Sequence, residues 1–319
     1  MVNTRSRTTP QPRGRQIAIT ARDLALFRLL ARYRFLPSNF IHAFIGGNPT
    51  YHKSRMTDLY HEGWLGKPKP QWEALNARYR FDTYELGGRA RALLRDEDLL
   101  EHRILGTSGA FRHELMLCLV MASLELSARR FGIELLDWKD VLAAAPEEAR
   151  AAESPFVIPI TLRGDDKATN TILRPDGHPF GLRAVRAFWF VGLEVDRHTE
   201  PLHPTDLRSS RSSILRKILQ YQQLVSERQF ESRYGMPNLL VPIVTVNQQH
   251  MHNMMQLVLW ITGGRGFKWM LFKTMPEFSS LERSPLPRIE LLAEDWLRAG
   301  HEPLNLLREL TRTVTRNAA

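Results

Sequence analysis

Apolar residues follow a helical period through the N-terminal part of the chain and an alternating one later. Leu24, Phe27, Leu30 and Ala31 share a helical face behind Thr20, with Asp23 three residues after it, the pattern of a capped helix start. Phe40, Ile41, Phe44 and Ile45 predict a second short helix after Pro37, stopped by Gly46-Gly47. Met56, Leu59 and Tyr60 predict a third over 50–62, before Gly63. After a polar loop with Lys67 and Lys69, residues 78–81 and 83–86 alternate and predict a β-hairpin. Helix, helix, helix, hairpin over 20–95 reads as a winged helix. Residues 1–19, rich in Arg, Thr and Pro without an apolar period, read as a flexible basic arm.

Beyond Gly109 the period changes. Phe111, Leu115, Cys118, Ala122 and Leu126 mark a long helix, and apolar β-rich runs follow at 156–162, 180–185 and 188–195. A helix over 210–227 carries Ile214, Ile218, Tyr221 and Val225 on one stripe. A strand over 239–246, a helix over 248–262, a strand over 267–273 and helical segments to the end complete the order αβββαβαβ. Residues 137–155, 163–175 and 199–210 read as surface connections. The fold class expected for 109–319 is α/β with a mixed sheet, and α+β for the chain as a whole.

Charge adds a partner to this outline. The 319 residues carry a formal net charge of +10, and residues 1–95 hold 17 Lys/Arg against 6 Asp/Glu, so all of the excess is N-terminal. A positive field concentrated on one domain favours a polyanion by releasing its condensed counterions. Double-stranded DNA is the expected partner. An anionic membrane fits poorly without a basic amphipathic helix. Thr50, Tyr51, Lys53, Ser54 and Arg55 are expected to face outward near the start of the third helix, where a recognition helix reads bases. Lys67, Lys69, Arg78 and Arg80 on the wing, with the arm, are expected to meet phosphates; the alternative is a winged helix that docks protein. No 18 uncharged apolar residues run together and no secretory leader opens the chain, so a cytoplasmic location is expected. The single cysteine, Cys118, can neither close an internal disulfide nor build a cysteine-based zinc cluster.

Three acidic residues stand where metal-dependent chemistry would need them. Pro175-Asp176-Gly177 precedes one strand, and Glu194-Val195-Asp196 closes the next, where the strand period aims both carboxylates at one face. Pro-Asp-Gly is also a common turn. Asp176, Glu194 and Asp196 are candidate ligands of Mg²⁺ or Mn²⁺, leaving positions for a phosphate oxygen and an attacking water, the chemistry of phosphodiester hydrolysis. Asp196 stands where a lysine would steady the developing charge. Lys217 can supply that cation from the following helix, where it and Tyr221 are spaced i, i+4. Glu114, in the stripe of Phe111, Leu115 and Cys118, is expected to point inward toward a metal or a cation, with Arg112 or solvent as the alternative. His250 and His252 are expected on different sides of their helix.

The residues 23–36 with Arg112-His113-Glu114, Pro175-Asp176-Gly177 and the run Glu194-Val195-Asp196-Arg197-His198-Thr199-Glu200 resemble the replication-relaxation proteins of plasmids and other mobile elements. The second half is similar to the PD-(D/E)xK restriction-endonuclease-like superfamily, a resemblance that implies metal ligation by Asp176 and Glu194. The run 217–221 looks like the variant with a polar residue and tyrosine on the helix after the core strands. Asp196 departs from the usual lysine. Two functions follow from the resemblance: a DNA-binding endonuclease of a mobile element, or a catalytically silent DNA-binding accessory factor acting through a second copy or through replication and transfer proteins.

Overall fold

A computed structural model of the chain describes residues 6–73, 80–95, 111–163, 168–185, 187–202, 213–279 and 285–312. It divides into two compact units, Met1–Leu126 with Glu277–Arg288 and Ser127–Pro276 with Ile289–Ala319. No helix among the described residues is long and apolar enough to cross a membrane.

The first unit opens with α1 (Ala21–Arg32), whose start carries the expected capping box: Thr20 accepts from the Asp23 N–H while Asp23 accepts from the Thr20 N–H. After β1 (Leu36–Pro37) come α2 (Ser38–Ile45) and α3 (Pro49–His61), the latter capped by Asn48 with Pro49 in its first turn. Then follow β2 (Leu65–Gly66), β3 (Thr83–Leu86) and α4 (Gly88–Arg95). Leu26, Phe27, Leu30, Phe40, Ile41, Met56 and Leu59 form the buried centre, with Phe27 stacked on Trp64. The strands make a small sheet in the order β1-β3-β2. This differs from the expected hairpin, since the described partners of β3 are Leu65–Gly66 and Leu36–Pro37. Of that run, Arg78 lies outside the described residues, as do 1–5 of the arm.

Residues 6–19 are bound in place rather than free. The Gln11 N–H donates to His61 Nδ1 at 3.0 Å, the Arg13 N–H to Glu62 Oε1 at 2.9 Å, and Arg7 Nε to Asp82 Oδ1 at 2.6 Å. The long helix α5 (Phe111–Arg130) also differs from expectation. The division between the units falls inside it, after Leu126, so Glu114 belongs to the first unit and not to the second.

The second unit continues with β4 (Glu134–Leu136), α6 (Trp138–Ala143), α7 (Glu147–Arg150), β5 (Ile158–Arg163), β6 (Ala168–Leu173), β7 (Phe180–Arg183), β8 (Phe188–Val191) and β9 (Glu194–Asp196). Next are α8 (Ile214–Ser226), α9 (Gln229–Tyr234), β10 (Val241–Thr245), α10 (Gln248–Ile261), β11 (Met270–Thr274), β12 (Asp295–Arg298), β13 (His301–Asn305) and α11 (Leu306–Thr311). The main sheet has the order β13-β12-β11-β10-β9, parallel across β9, β10 and β11 and antiparallel beyond, which makes it mixed as expected. β10 is buried at every position, as a strand between parallel neighbours should be.

Three expectations are corrected here. The run 188–195 is two strands, because the chain leaves the β4-β7-β8 sheet at Gly192-Leu193 to enter the main sheet as β9. The connections at 137–155 and 163–175 contain α6, α7 and β6; β6 pairs with β5, and its Thr and Asn positions hide it from an apolar count. The segment after β11 is a β12-β13 hairpin before a short helix, each strand burying little beyond Trp296 or Leu304. Residues 164–167, 203–212 and 313–319, parts of expected connections and helix ends, lie outside the described residues.

Candidate functional site

β9 ends the parallel part of the sheet, and its first residue collects a set of polar side chains. Glu194 is 1% exposed. Tyr221, on the buried stripe of α8, donates its hydroxyl to Glu194 Oε1. Lys217, one turn earlier on α8, brings its ammonium to 2.7 Å from Glu194 Oε2, 3.3 Å from Asp176 Oδ2 and 3.8 Å from Glu200 Oε1. The Pro-Asp-Gly turn is tied to the same strand: the Gly177 N–H donates to the Leu193 carbonyl at 3.1 Å and the Val195 N–H to Asp176 Oδ2 at 3.0 Å. Ser213 starts α8 by accepting from the Arg216 N–H, which fixes the turn that delivers Lys217.

Three carboxylates face one ammonium. Burial, and then the facing Asp176, hold Glu194 well above the usual carboxylate range. Burial alone pulls Lys217 down, but Asp176, Glu194 and Glu200 together outweigh it and raise it well above an ordinary lysine. Burial and the neighbouring Glu194 likewise raise Tyr221, so its hydroxyl remains a donor.

Asp196 departs from expectation. It is buried, and its oxygens are taken by His250 Nε2 at 2.6 Å and by the N–H groups of His198 and Thr199 at 3.0 and 3.3 Å. The structure therefore joins it to α10 and not to the Asp176–Glu194 pair. His198, in a left-handed backbone at φ 63°, lays its ring 4.3 Å from that of His250. His250 is buried and His252 exposed, on different sides of α10 as the spacing predicted. The sequence reading missed His250 as the partner of Asp196 and Glu200 as a neighbour of Lys217. The alternation Glu194, Asp196, His198, Glu200 was the available signal.

The first-unit candidates separate sharply. Thr50, Tyr51, Lys53 and Ser54 are exposed on α3, Tyr51 to 58%. Arg55 is instead clamped to Asp23 by two hydrogen bonds, at 3.0 and 2.6 Å, and to the Ala18 carbonyl at 2.7 Å. Burial raises Asp23, but the bonds from Arg55 and Thr20 outweigh it and hold the carboxyl below its usual value. Lys69 is exposed. Lys67 is not the exposed phosphate contact expected: its side chain is 3% exposed, 2.8 Å from Asp82 and 4.2 Å from the centre of the Tyr60 ring. Arg80 turns inward to the Gln71 carbonyl, and burial lowers its pKa. Glu114 meets a cation, but the cation is Arg34 of the first unit and not Arg112.

The model of the family described as replication-relaxation matches residues 27–240, more than half of the chain. The chain belongs to the replication-relaxation family. Asp176, Glu194, Lys217 and Tyr221 of this replication-relaxation protein fall inside the matched span; His250 and residues 6–19 fall outside it. Comparison with curated proteins finds no match. Among solved structures the chain is similar to the SdaI restriction endonuclease, at 12% identity over 75% of this chain and 84% of that one. The TM-score is 0.19, too low for that likeness to bear on fold or function.

The donor set of the replication-relaxation protein suits a hard divalent cation. The candidate ligands are carboxylate oxygens, and Glu200 Oε2 is buried without a hydrogen bond. Among the described residues no three His, Cys, Asp or Glu stand close enough to hold an ion by themselves. Asp176 and Glu194 could hold such an ion as a two-carboxylate site.

Proposed function

We propose that this replication-relaxation protein binds double-stranded DNA through its first unit and carries in its second a phosphodiester-hydrolysing centre, serving replication, transfer or mobilisation of a mobile element. The winged-helix reading is supported by the order α1, α2, α3 and then the β2-β3 pair, with β1 added to its edge. Tyr51, Lys53 and Ser54 of α3 are its base- and phosphate-reading side chains, and Lys69 is a wing contact.

The buried meeting of Asp176, Glu194 and Lys217 carries the hydrolytic reading. Asp176 and Glu194 would hold Mg²⁺ or Mn²⁺, which supplies a polarised phosphoryl oxygen and a more acidic water. Tyr221 keeps Glu194 in one orientation, and the Val195 N–H does the same for Asp176. Lys217 turns from Glu194 toward the phosphate as negative charge grows on it, the task of the lysine that Asp196 displaces. Asp196 is left out of the ligand set, since His250 holds it.

A second reading is a catalytically silent DNA-binding factor whose second unit recruits another copy or a replication or transfer protein. One observation favours it: the Lys217 ammonium pairs with Glu194 at 2.7 Å, so this carboxylate has a cation of the chain's own. Incubating supercoiled and linear DNA with Mg²⁺ or Mn²⁺, beside Glu194→Ala, separates the two. Metal-dependent nicking lost in the variant supports hydrolysis. An inert wild type that still binds DNA supports the silent factor.

A further inference from the structure

Several cations of the first unit are already paired with carboxylates: Arg7 and Lys67 with Asp82, Arg32 with Glu125, Arg34 with Glu114 and Arg55 with Asp23. The sequence Pro12-Arg13-Gly14-Arg15 is different. Both guanidinium groups are on exposed residues, and neither makes a hydrogen bond or ion pair among the described residues. Gly14 between them has φ +64°, a conformation that strains any other residue, and nothing lies within 4 Å of where a side chain would begin. Two arginines therefore flank a bare stretch of backbone that can approach a surface closely.

The segment is also held in position. Backbone bonds from Gln11 to His61 and from Arg13 to Glu62 anchor it at the C-terminal end of α3. From Tyr51 to Glu62 the helix rises about 16 Å. A helix whose N-terminal half enters a major groove has its C-terminal end, and this segment with it, outside that groove and within reach of the flanking backbone and minor groove.

We propose that Arg13-Gly14-Arg15 reads an A·T-rich minor groove beside the α3 site. This deepens, and rests on, the reading of the first unit as a duplex-DNA binder. A narrow A·T groove has an enhanced negative potential that draws in arginine, whereas G·C pairs project a guanine amino group into the groove. Guanidinium suits such a confined groove better than ammonium because it is more weakly hydrated.

The test uses the full chain on three duplexes of equal length, composed of A·T, G·C and I·C pairs. Inosine keeps guanine's major-groove edge and removes only the minor-groove amino group. Wild type should bind A·T and I·C about tenfold more tightly than G·C. Arg13→Lys with Arg15→Lys should abolish that preference while the salt dependence of binding stays the same. Equal wild-type affinity for I·C and G·C, or a preference that survives in the lysine variant, overturns the inference but leaves DNA binding standing. Binding to none of the three duplexes overturns both.

Discussion

The side chains of Lys67 and Lys217 are both largely buried, at 3% and 12% exposure, and their surroundings differ in one respect. Lys67 in the first unit shares Asp82 with Arg7 and lies against the rings of Tyr60 and Tyr84. Burial dominates there, and Asp82 only partly offsets it, so the pKa of Lys67 is lowered. Lys217 in the second unit is surrounded by Asp176, Glu194 and Glu200, and its pKa is raised well above normal. One lysine sits where cations are in excess and the other where anions are. The first is a structural plug. The second faces three carboxylates, which is why the metal site is proposed there.

Removing each ammonium sharpens the contrast. Lys217→Met leaves buried carboxylates facing one another and should destabilise the second unit by about 3–5 kcal/mol in metal-free urea unfolding. Millimolar Mn²⁺ should recover part of that loss. Lys67→Met should cost only about 1–2 kcal/mol, since Asp82 keeps Arg7, and Mn²⁺ should not restore it. Equal losses, or equal responses to Mn²⁺, would break the distinction.

His52 extends the comparison to a buried base with no anion among its perturbing neighbours. Burial, then His42 and Arg22, lower its pKa to about 4. The unfolded chain protonates this ring near pH 6.5 while the folded one keeps it neutral, so acid favours unfolding across that interval. Stability is full above about pH 6.5 and falls as pH drops toward 4, by on the order of 3 kcal/mol from this group. His52→Leu should flatten that part of the pH profile at little cost, because the ring's buried Nε2 has no hydrogen bond to lose. The same slope in both proteins would remove His52 from the account.

The parts legible from sequence are those where one local signal dominates. Thr20 and Asp23 predicted the α1 cap, and the apolar stripe of α8 put Tyr221 inward with Lys217 at its edge. Asp176 was readable as a turn residue and a candidate ligand, but its tie to β9 was not, because the bonds that fix the turn come from Leu193 and Val195, distant in sequence. β6 escaped because Thr and Asn dominate its alternation, and β12 and β13 because each buries so little. Arg55, Lys67 and Arg80 looked like DNA contacts because composition counts cations without their partners. Asp23, Asp82 and the Gln71 carbonyl claim them through tertiary contacts.

Calorimetric unfolding of the whole chain, with and without millimolar Mn²⁺, tests the surplus of negative charge around Lys217 most directly when run beside Glu194→Gln. A cation drawn to Asp176 and Glu194 should raise the wild-type Tm by several degrees and leave the variant nearly unmoved. A wild-type Tm indifferent to Mn²⁺, or an equal rise in both proteins, would contradict it.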